Sequence, residues 1–188
     1  MATINDIKSI VSKRGGLARP NRFMVDFSGL LKPNTGDGTV PIPGLNAIDA
    51  NDLNFLVDNI SIPGRAINTF EYAIWNHPVK IPIGYDEDDI EVVFNLTNDF
   101  MPKKIIDSWS AIIINQSSYL AEYDAAYKRD IIIWQLDEQD KKKYGVKLLG
   151  AYPLASKGLF LDNSAESAVS RFSCTLTFNR FEIEPIPN

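Results

Sequence analysis

Two neighbouring stretches of the sequence, residues 69–74 and 78–83, alternate between large apolar side chains and small or polar ones. A period of two is typical of β-strands, in which successive side chains point to opposite faces. Pro78 and Pro82 stand four positions apart, so both remove an amide donor from the same edge of the second strand. The sequence therefore predicts a two-stranded ribbon, with a turn at Asn76 and His77, that pairs with a further strand along one edge only. We expect its apolar face to be covered, and that face carries Phe70, Tyr72, Ile74, Val79, Ile81 and Ile83.

Alternation and short apolar runs continue through much of the chain. Further strands are predicted at residues 23–27, 55–62, 90–96, 129–136, 144–152 and 168–184. A helix is predicted after Asn98 or Asp99, because apolar side chains around Trp109 follow the spacing of one helix face. We therefore expect a mainly β fold, a small β-barrel or two-sheet sandwich with one flanking α-helix and an N-terminal arm. The predicted core anchors are Phe70, Phe94, Trp109, Trp134, Phe172 and Phe178.

The length of 188 residues and the hydrophobic content of 45% suit one domain with a substantial core. We expect a single domain over residues 1–188, with an N-terminal arm at residues 1–19. A long surface loop is expected at residues 31–54, which are rich in Pro, Gly, Asn and Asp. The arm carries apolar side chains spaced for one face of a short helix, at Ile4, Ile7 and Ile10. Two interpretations of it stay open: a frayed terminus, or an arm that docks on a neighbouring subunit.

The charge and the cysteine content exclude several classes of protein. A formal net charge of −5 argues against broad affinity for DNA or RNA, since phosphate binding relies on clustered Lys and Arg. The one cysteine, Cys174, excludes an internal disulfide. The sequence contains no apolar run long enough to span a membrane, and its start lacks the regions of a signal peptide. We therefore expect synthesis and folding in a cytoplasm.

The sequence gives little support for catalysis, metal binding or a cofactor. His77 is the only histidine, so neither a Ser–His pair, a Cys–His pair nor a two-histidine metal site is indicated. Cys174 alternates with core residues and is expected to be a small buried side chain. The acidic run at residues 86–89 lacks the ligand spacing of an EF-hand, so a solvated loop is favoured over a calcium site. We expect a protein that is not an enzyme.

An ordered series of short segments spans residues 16–185. It comprises Ala18-Arg19-Pro20-Asn21 with Phe23 and Val25, then Ser61-Ile62-Pro63-Gly64, the ribbon, Asn98-Asp99, and Gly150-Ala151-Tyr152-Pro153. In this order the segments resemble the tail tube proteins of contractile-tailed, T-even-like bacteriophages, relatives of the haemolysin-coregulated tube protein of type VI secretion. The loop predicted at residues 31–54 departs from the more compact members of that family, which use a shorter connection.

The resemblance implies a structural protein of the virion, made in the host cytoplasm and not inserted in a membrane by this chain. It implies that six copies close into a ring, that their strands join into a continuous inner barrel, and that rings stack into a tube. The tube would conduct the genome during DNA ejection. The implied partners are further copies of the chain, the tail sheath protein, the baseplate and tail terminator proteins, and, transiently in the lumen, the tape-measure protein and double-stranded DNA.

A channel for DNA must not hold the phosphates, so carboxylates and neutral polar groups suit its wall. The polar positions of the expected inner strands supply the candidate lumen-facing residues Asp58, Asn59, Thr69 and Glu71. The exposed turn of the ribbon and the N-terminal arm supply candidate contacts between rings and subunits. These contacts are Ile4, Ile7, Ile10, Asn76, His77, Pro78, Val79 and Lys80.

Three other functions stay open. A baseplate protein of the same fold that initiates the tube would form one ring and would not polymerise alone. A type VI-like secretion tube would carry effectors, but the segments at residues 18–21 and 61–64 favour the phage family. A carbohydrate-binding β-sandwich module would present Tyr72, Trp75 and Tyr85 as a sugar platform. That module predicts a monomer, and the place of Tyr72 on the apolar face argues against it.

Overall fold

The computed structural model describes residues 4–31, 40–74, 77–115, 118–159, 161–162, 164 and 169–186. Its strands are β1 (Phe23–Asp26), β2 (Val57–Ile60), β3 (Arg65–Ile74), β4 (His77–Glu87), β5 (Ile90–Asn95), β6 (Arg129–Leu136), β7 (Lys142–Ser156), β8 (Arg171–Thr177) and β9 (Arg180–Glu184). Its helices are α1 (Ile4–Lys13), α2 (Ala47–Phe55), α3 (Met101–Ile113) and α4 (Asp124–Tyr127), with a 3₁₀ turn at Ser28–Leu30. The prediction of a mainly β fold with a flanking helix is confirmed.

Strand β7 organises the large antiparallel sheet. The sheet runs in the order β1-β6-β7-β8-β5-β2, and β9 pairs with β7 as well. The first part of β7 lies between β6 and β9, and its last part pairs with β8. Gly150 adopts a φ of 65° between these parts, and a Cβ there would lie 2.7 Å from Nδ2 of Asn179. Phe178 and Asn179 separate β8 from β9, so the last strand predicted at residues 168–184 is interrupted.

The two halves of this sheet enclose one core. Alternate side chains of β1, β6 and β7 meet alternate side chains of β5, β8 and β2. The rings of Phe27, just after β1, and Phe94, in β5, have centroids 5.9 Å apart. Phe94 also stacks on Phe172 of β8, at 6.3 Å. Because β1 and β5 are far apart in the strand order, these contacts show that the sheet folds back on itself as a two-layer sandwich.

Helix α3 lies against β7 and closes one side of the core. Trp109 is fully buried, and its indole Nε1 donates to the carbonyl oxygen of Tyr127 at 2.7 Å. Ile105 and Ile106 are buried on the same helix face. The apolar spacing of the sequence therefore identified both this helix and its buried side. We call the seven-stranded sheet together with α3 the body.

The segment at residues 31–54 differs in part from the predicted surface loop. Residues 32–39 lie outside the described part of the chain, but helix α2 occupies much of the remainder. Asn46 begins this helix, since its side chain accepts hydrogen bonds from two amides of the first turn, both at 2.9 Å. Leu53 is fully buried. The loop prediction is wrong over residues 47–54, because Asn and Asp favour helix starts as well as turns.

Arg129 ties this segment to the body. Its buried guanidinium donates to the carbonyl oxygens of Val40, Ala126 and Lys128 at 2.7–3.0 Å. Burial lowers the pKa of the group. One side chain thereby joins the chain before α2, helix α4 and strand β6. The second predicted strand is shorter than expected, because Phe55 ends α2 and is exposed.

The predicted core anchors divide between the body and the ribbon. Buried or half-buried in the body are Phe94, Trp109, Trp134, Phe172 and Phe178. Phe70 is instead 56% exposed, so its assignment as a core anchor is wrong for the single chain. Strands β3 and β4 form a separate two-stranded sheet. Among the described residues this ribbon has no second layer, so its alternating side chains are left in solvent.

The N-terminal arm forms a helix that adds nothing to the core. None of the residues of α1 is buried, and its three isoleucines are exposed. The chain after the helix is held to β6, because the side-chain Nε2 of Gln135 donates to the carbonyl oxygens of Arg19 and Arg22, both at 2.8 Å. Gly15 and Gly16 adopt positive φ angles and separate the helix from this anchor. Docking of the arm on another subunit stays a prediction.

Candidate assembly surface

The register of the ribbon places its large apolar side chains side by side. Strands β3 and β4 are antiparallel, with Phe70 opposite Ile81 and Tyr72 opposite Val79. The side chains of opposite residues point to the same side of an antiparallel pair. These four therefore share one face, as the alternation predicted. The ribbon tip at residues 75–76 lies outside the described part of the chain.

We call Phe70, Tyr72, Val79 and Ile81 the apolar ribbon face. Each of these side chains is 43–56% exposed. Monomeric proteins rarely expose contiguous apolar patches, and those that do commonly use them to bind another protein. The expectation that this face is covered is not met within the single chain, so its cover has to come from outside.

The opposite face of the ribbon is polar around Thr69 and Glu71, whereas its base carries Ile67 and Tyr85. Thr69 and Glu71 lie on it, and Nζ of Lys80 lies 3.7 Å from Oε1 of Glu71. Both partners of this ion pair are exposed, so it adds little to stability. The register also places Tyr85 opposite Ile67 on this face, after a bulge at Asn68 and Thr69. Tyr72 and Tyr85 therefore point to opposite sides of the ribbon.

The candidate lumen-facing residues occupy two elements. Thr69 and Glu71 lie on the ribbon, whereas Asp58 and Asn59 belong to β2 at the end of the large sheet. Asp58 is 3.4 Å from the guanidinium of Arg171, which partly neutralises its charge. All four are exposed. That they face a common lumen stays a prediction.

The base of the ribbon is fastened to β9. The guanidinium of Arg65 lies 4.5 Å from the ring centroids of both Tyr85 and Phe181. Its Nε donates to Oε1 of Glu87 at 2.9 Å, and Oε2 of Glu87 accepts from the amide of Phe181 at 2.9 Å. We call Arg65, Glu87 and Phe181 the root clamp. It holds the start of β3 and the end of β4 against the body.

Sequence reasoning missed the root clamp. Arg65 and Glu87 stand opposite each other at the base of the ribbon only because the register shifts by one residue between Asn68 and Thr69. The register of the tip, extended to the base, would have paired Arg65 with Asp86. Phe181 lies 94 residues beyond Glu87 along the chain. No local pattern indicates a contact over that separation.

The candidate contacts between rings lie at two exposed places. Pro78, Val79 and Lys80 follow His77 at the start of β4 and are exposed. His77 belongs to this strand and not to the turn in which the sequence placed it. Asn76 lies outside the described residues. The isoleucines of α1 form the second place, and contacts of either with another ring stay predictions.

The chemistry of the described residues offers no reactive centre. Burial raises the pKa of the Cys174 thiol to about 12, so this side chain stays an unreactive thiol within the core. Within the described ranges, no group of three or more His, Cys, Asp or Glu side chains is arranged to hold a metal ion. In the acidic run, Asp86 accepts from Asn68 at 2.8 Å and Glu87 belongs to the root clamp. None of the helices that the structure describes is long and apolar enough to cross a membrane.

The residues of the ribbon that the structure describes do not assemble a sugar platform. Trp75 lies outside the described residues, and Tyr72 and Tyr85 face opposite sides. The ring of Tyr85 is also covered by the guanidinium of Arg65. Stacking of a sugar needs an open aromatic face, which leaves the carbohydrate-binding interpretation without support.

Comparison with known proteins bears on the whole chain. A family model described as phage tail tube protein matches residues 18–184. A relative, the tail tube protein of Serratia phage KSP90, is 24% identical over 180 residues, which are 95% of each chain. The tube-terminating cap of the anti-feeding prophage has a similar structure, with a TM-score of 0.61 at 18% identity over 89% of this chain and 91% of that one. A chain of the extended sheath–tube complex of the extracellular contractile injection system PVC gives 0.58 at 16% identity, over 99% and 100%.

Proposed function

Because the chain belongs to the phage tail tube protein family, we propose that six copies of it close into a ring and that such rings stack into a hollow tube. The chain is a structural component of the virion and not an enzyme. The tube gives the genome a path out of the particle. The exposed apolar ribbon face is the observation that carries this proposal.

Ring closure provides the missing cover of the ribbon. Full burial of a large apolar side chain contributes about 1.5–3 kcal/mol relative to exposure. The apolar ribbon face has four such side chains, each about half exposed, so a neighbouring subunit that covers them gains several kcal/mol at each interface. A closed ring repeats this contact identically and leaves no unpaired end.

The polar face of the ribbon suits the inside of such a ring. Thr69 and Glu71 lie opposite the apolar ribbon face, and Asp58 and Asn59 precede the ribbon in β2. We assign these four side chains to the lumen wall. Carboxylates and neutral groups do not trap phosphates, and the net charge of −5 is in keeping with a wall that DNA passes without binding.

Contacts between rings are assigned to the ribbon tip and to α1. The isoleucine stripe of α1 is exposed, and the two glycines after it end the helix with positive φ angles. In one arrangement, residues 76–80 of one ring contact the α1 stripe of the next ring. In the other, each of these two segments packs on a different surface of the adjoining ring. The stripe consists of Ile4, Ile7 and Ile10. The tube would bind the tail sheath on its outside, baseplate and terminator proteins at its ends, and the tape-measure protein and double-stranded DNA transiently within. A sheath–tube complex and a tube-terminating cap among proteins of similar fold support the sheath and the terminator as partners.

Negative-stain electron microscopy of the purified protein tests the proposal. Hollow rods of uniform width are expected, and a monodisperse monomer at high concentration would overturn the assembly. The double variant Phe70→Ser/Ile81→Ser should remain a folded monomer, since it makes the apolar ribbon face polar.

A matched control changes the same residue types elsewhere. Phe55 and Ile48 are exposed apolar residues of α2, outside the ribbon. The variant Phe55→Ser/Ile48→Ser should form rods. Rods from the ribbon variant would contradict the role of this face.

A second candidate function is a ring at one end of the tube. The tube-terminating cap matches this fold with a TM-score of 0.61, compared with 0.58 for a chain of the sheath–tube complex. The fold is therefore shared by tube and end proteins alike. Single rings that do not stack at high concentration would favour an end protein such as a baseplate initiator, whereas rods would favour the tube itself.

A further inference from the structure

The two long edges of the ribbon differ in their backbone donors. Pro78 and Pro82 of β4 stand opposite Ala73 and Thr69 of β3. Opposite residues in an antiparallel pair alternate between hydrogen-bonded and non-hydrogen-bonded pairs. Proline has no amide hydrogen to exchange, so both proline pairs fall in the non-hydrogen-bonded class. Glu71 and Lys80 form the pair midway between the two proline pairs. They lie two residues from each proline pair along the strands, so they too are a non-hydrogen-bonded pair.

Backbone groups of this class point away from the partner strand. The outer edge of β3 therefore presents three amides, those of Thr69, Glu71 and Ala73, together with their carbonyls. The corresponding stretch of β4 presents only the amide of Lys80. The residues two positions before and after it, Pro78 and Pro82, have no amide hydrogen. Neither outer edge is paired with another strand in the part of the chain that the structure describes.

We infer that the outer edge of β3 is the edge along which a second copy of this chain adds a strand, and that the prolines close the edge of β4. The inference rests on the proposed function, in which the partner is the next subunit of the ring. Main-chain pairing along β3 would extend the ribbon sheet, and the apolar ribbon face would be buried against the same neighbour.

An edge that pairs on one side only gives the assembly a direction. Two β3 edges paired with each other would form a two-fold dimer, which uses up the edge and stops growth. A ring instead needs a contact between two different surfaces. Since the edge of β4 is closed, the strand that meets β3 has to come from another element of the next copy.

Two proline variants test this directly. Glu71 and Lys80 stand opposite each other, so a proline at either place removes an outward amide and leaves the ladder within the ribbon intact. Both variants also break the same ion pair. Because Lys80 is also assigned to contacts between rings, ring closure is the quantity to compare: Lys80→Pro should still close into rings, whereas Glu71→Pro should stay monomeric. Glu71→Ala, which removes the charge and keeps the amide, should form rods.

Hydrogen exchange on wild-type assemblies gives a second measurement that needs no variant. The amides of Thr69, Glu71 and Ala73 should exchange at least tenfold more slowly in the assembly than in the monomer, and the amide of Lys80 should not. Rings or rods from Glu71→Pro, monomers from both proline variants, or equal protection of both edges would overturn the inference alone. A wild type that stays monomeric would overturn the proposed function with it.

Discussion

Phe94 in the body and Phe70 in the ribbon lie in strands with the same alternating pattern, yet one is 1% exposed and the other 56%. Phe94 is covered because the large sheet folds back at β7 and brings Phe27 and Phe172 against it. The ribbon extends as a separate pair of strands. Alternation thus indicates which side chains share a face, but the cover of that face depends on a second layer, which the described part of the chain does not supply to the ribbon.

The largest expected difference between these regions is in the cost of removing an aromatic ring. Phe94→Ala should lower the free energy of unfolding of the monomer by about 3–5 kcal/mol, because it leaves a cavity in the core. Phe70→Ala should change it by less than about 0.5 kcal/mol, as for other surface substitutions. Urea unfolding of dilute monomer measures both. A similar cost for the two variants would show that the ribbon is buried within the single chain.

A glycine in a strand of each region, Gly145 in the body and Gly84 in the ribbon, shows what an added methyl group costs. A Cβ on Gly145 would lie 2.4–2.9 Å from three atoms of the Trp134 ring, whereas one on Gly84 meets nothing within 4 Å. Gly145→Ala should destabilise the monomer by about 1–3 kcal/mol, as overpacking does. Gly84→Ala should be neutral to within about 0.5 kcal/mol. Thermal unfolding of the two variants side by side checks this, and a neutral Gly145→Ala would contradict the packing of Trp134 on β7.

The root clamp can be broken without changing any residue of the core. Arg65→Ala removes two cation–π contacts, which contribute about 0.5–1 kcal/mol each. The amide of Phe181 should then exchange roughly fivefold faster, which corresponds to about 1 kcal/mol. Arg180→Ala serves as the control. Arg180 lies in β9, the strand of Phe181, and its replacement removes an exposed ion pair with Glu182. Equal exchange in both variants would mean that the ribbon base is held by other contacts.

The smallest effect concerns the turn between β6 and β7, which belongs to the body. The amide of Lys141, followed by that of Gln139, holds the pKa of Asp137 below its usual value. Because the folded pKa is lowered, the stabilisation is complete above the ordinary aspartate pKa and is lost as the pH falls through the folded value. Asp137→Asn should therefore be less stable than the wild type at about pH 6, and this gap should narrow towards about pH 3. A gap in melting temperature that is constant with pH would contradict the assignment.

The features that the sequence predicted are those set by local periodicity. The strands of the ribbon and the buried face of α3 both follow from spacing along the chain. Helix α2 was missed because it buries only Ala50 and Leu53 and so lacks a clear apolar face. The root clamp was missed because Phe181 reaches it from a distant strand. The exposure of Phe70 was missed because no sequence pattern distinguishes a cover within the chain from one outside it.

The ribbon joins the body through very short connections. Residues 61–64 link β2 to β3, and residues 88–89 link β4 to β5, while β2 and β5 are themselves paired. An extended residue spans at most about 3.6 Å, so the shorter link reaches only about 7 Å, and in the longer one Pro63 is buried. Linkers this short cannot extend further under force, so a force applied to the ribbon acts directly on the hydrogen-bonded strands β2 and β5. A tube wall built from such subunits would therefore be stiff along its axis, because the ribbon and the body of each subunit could not move apart under an axial force.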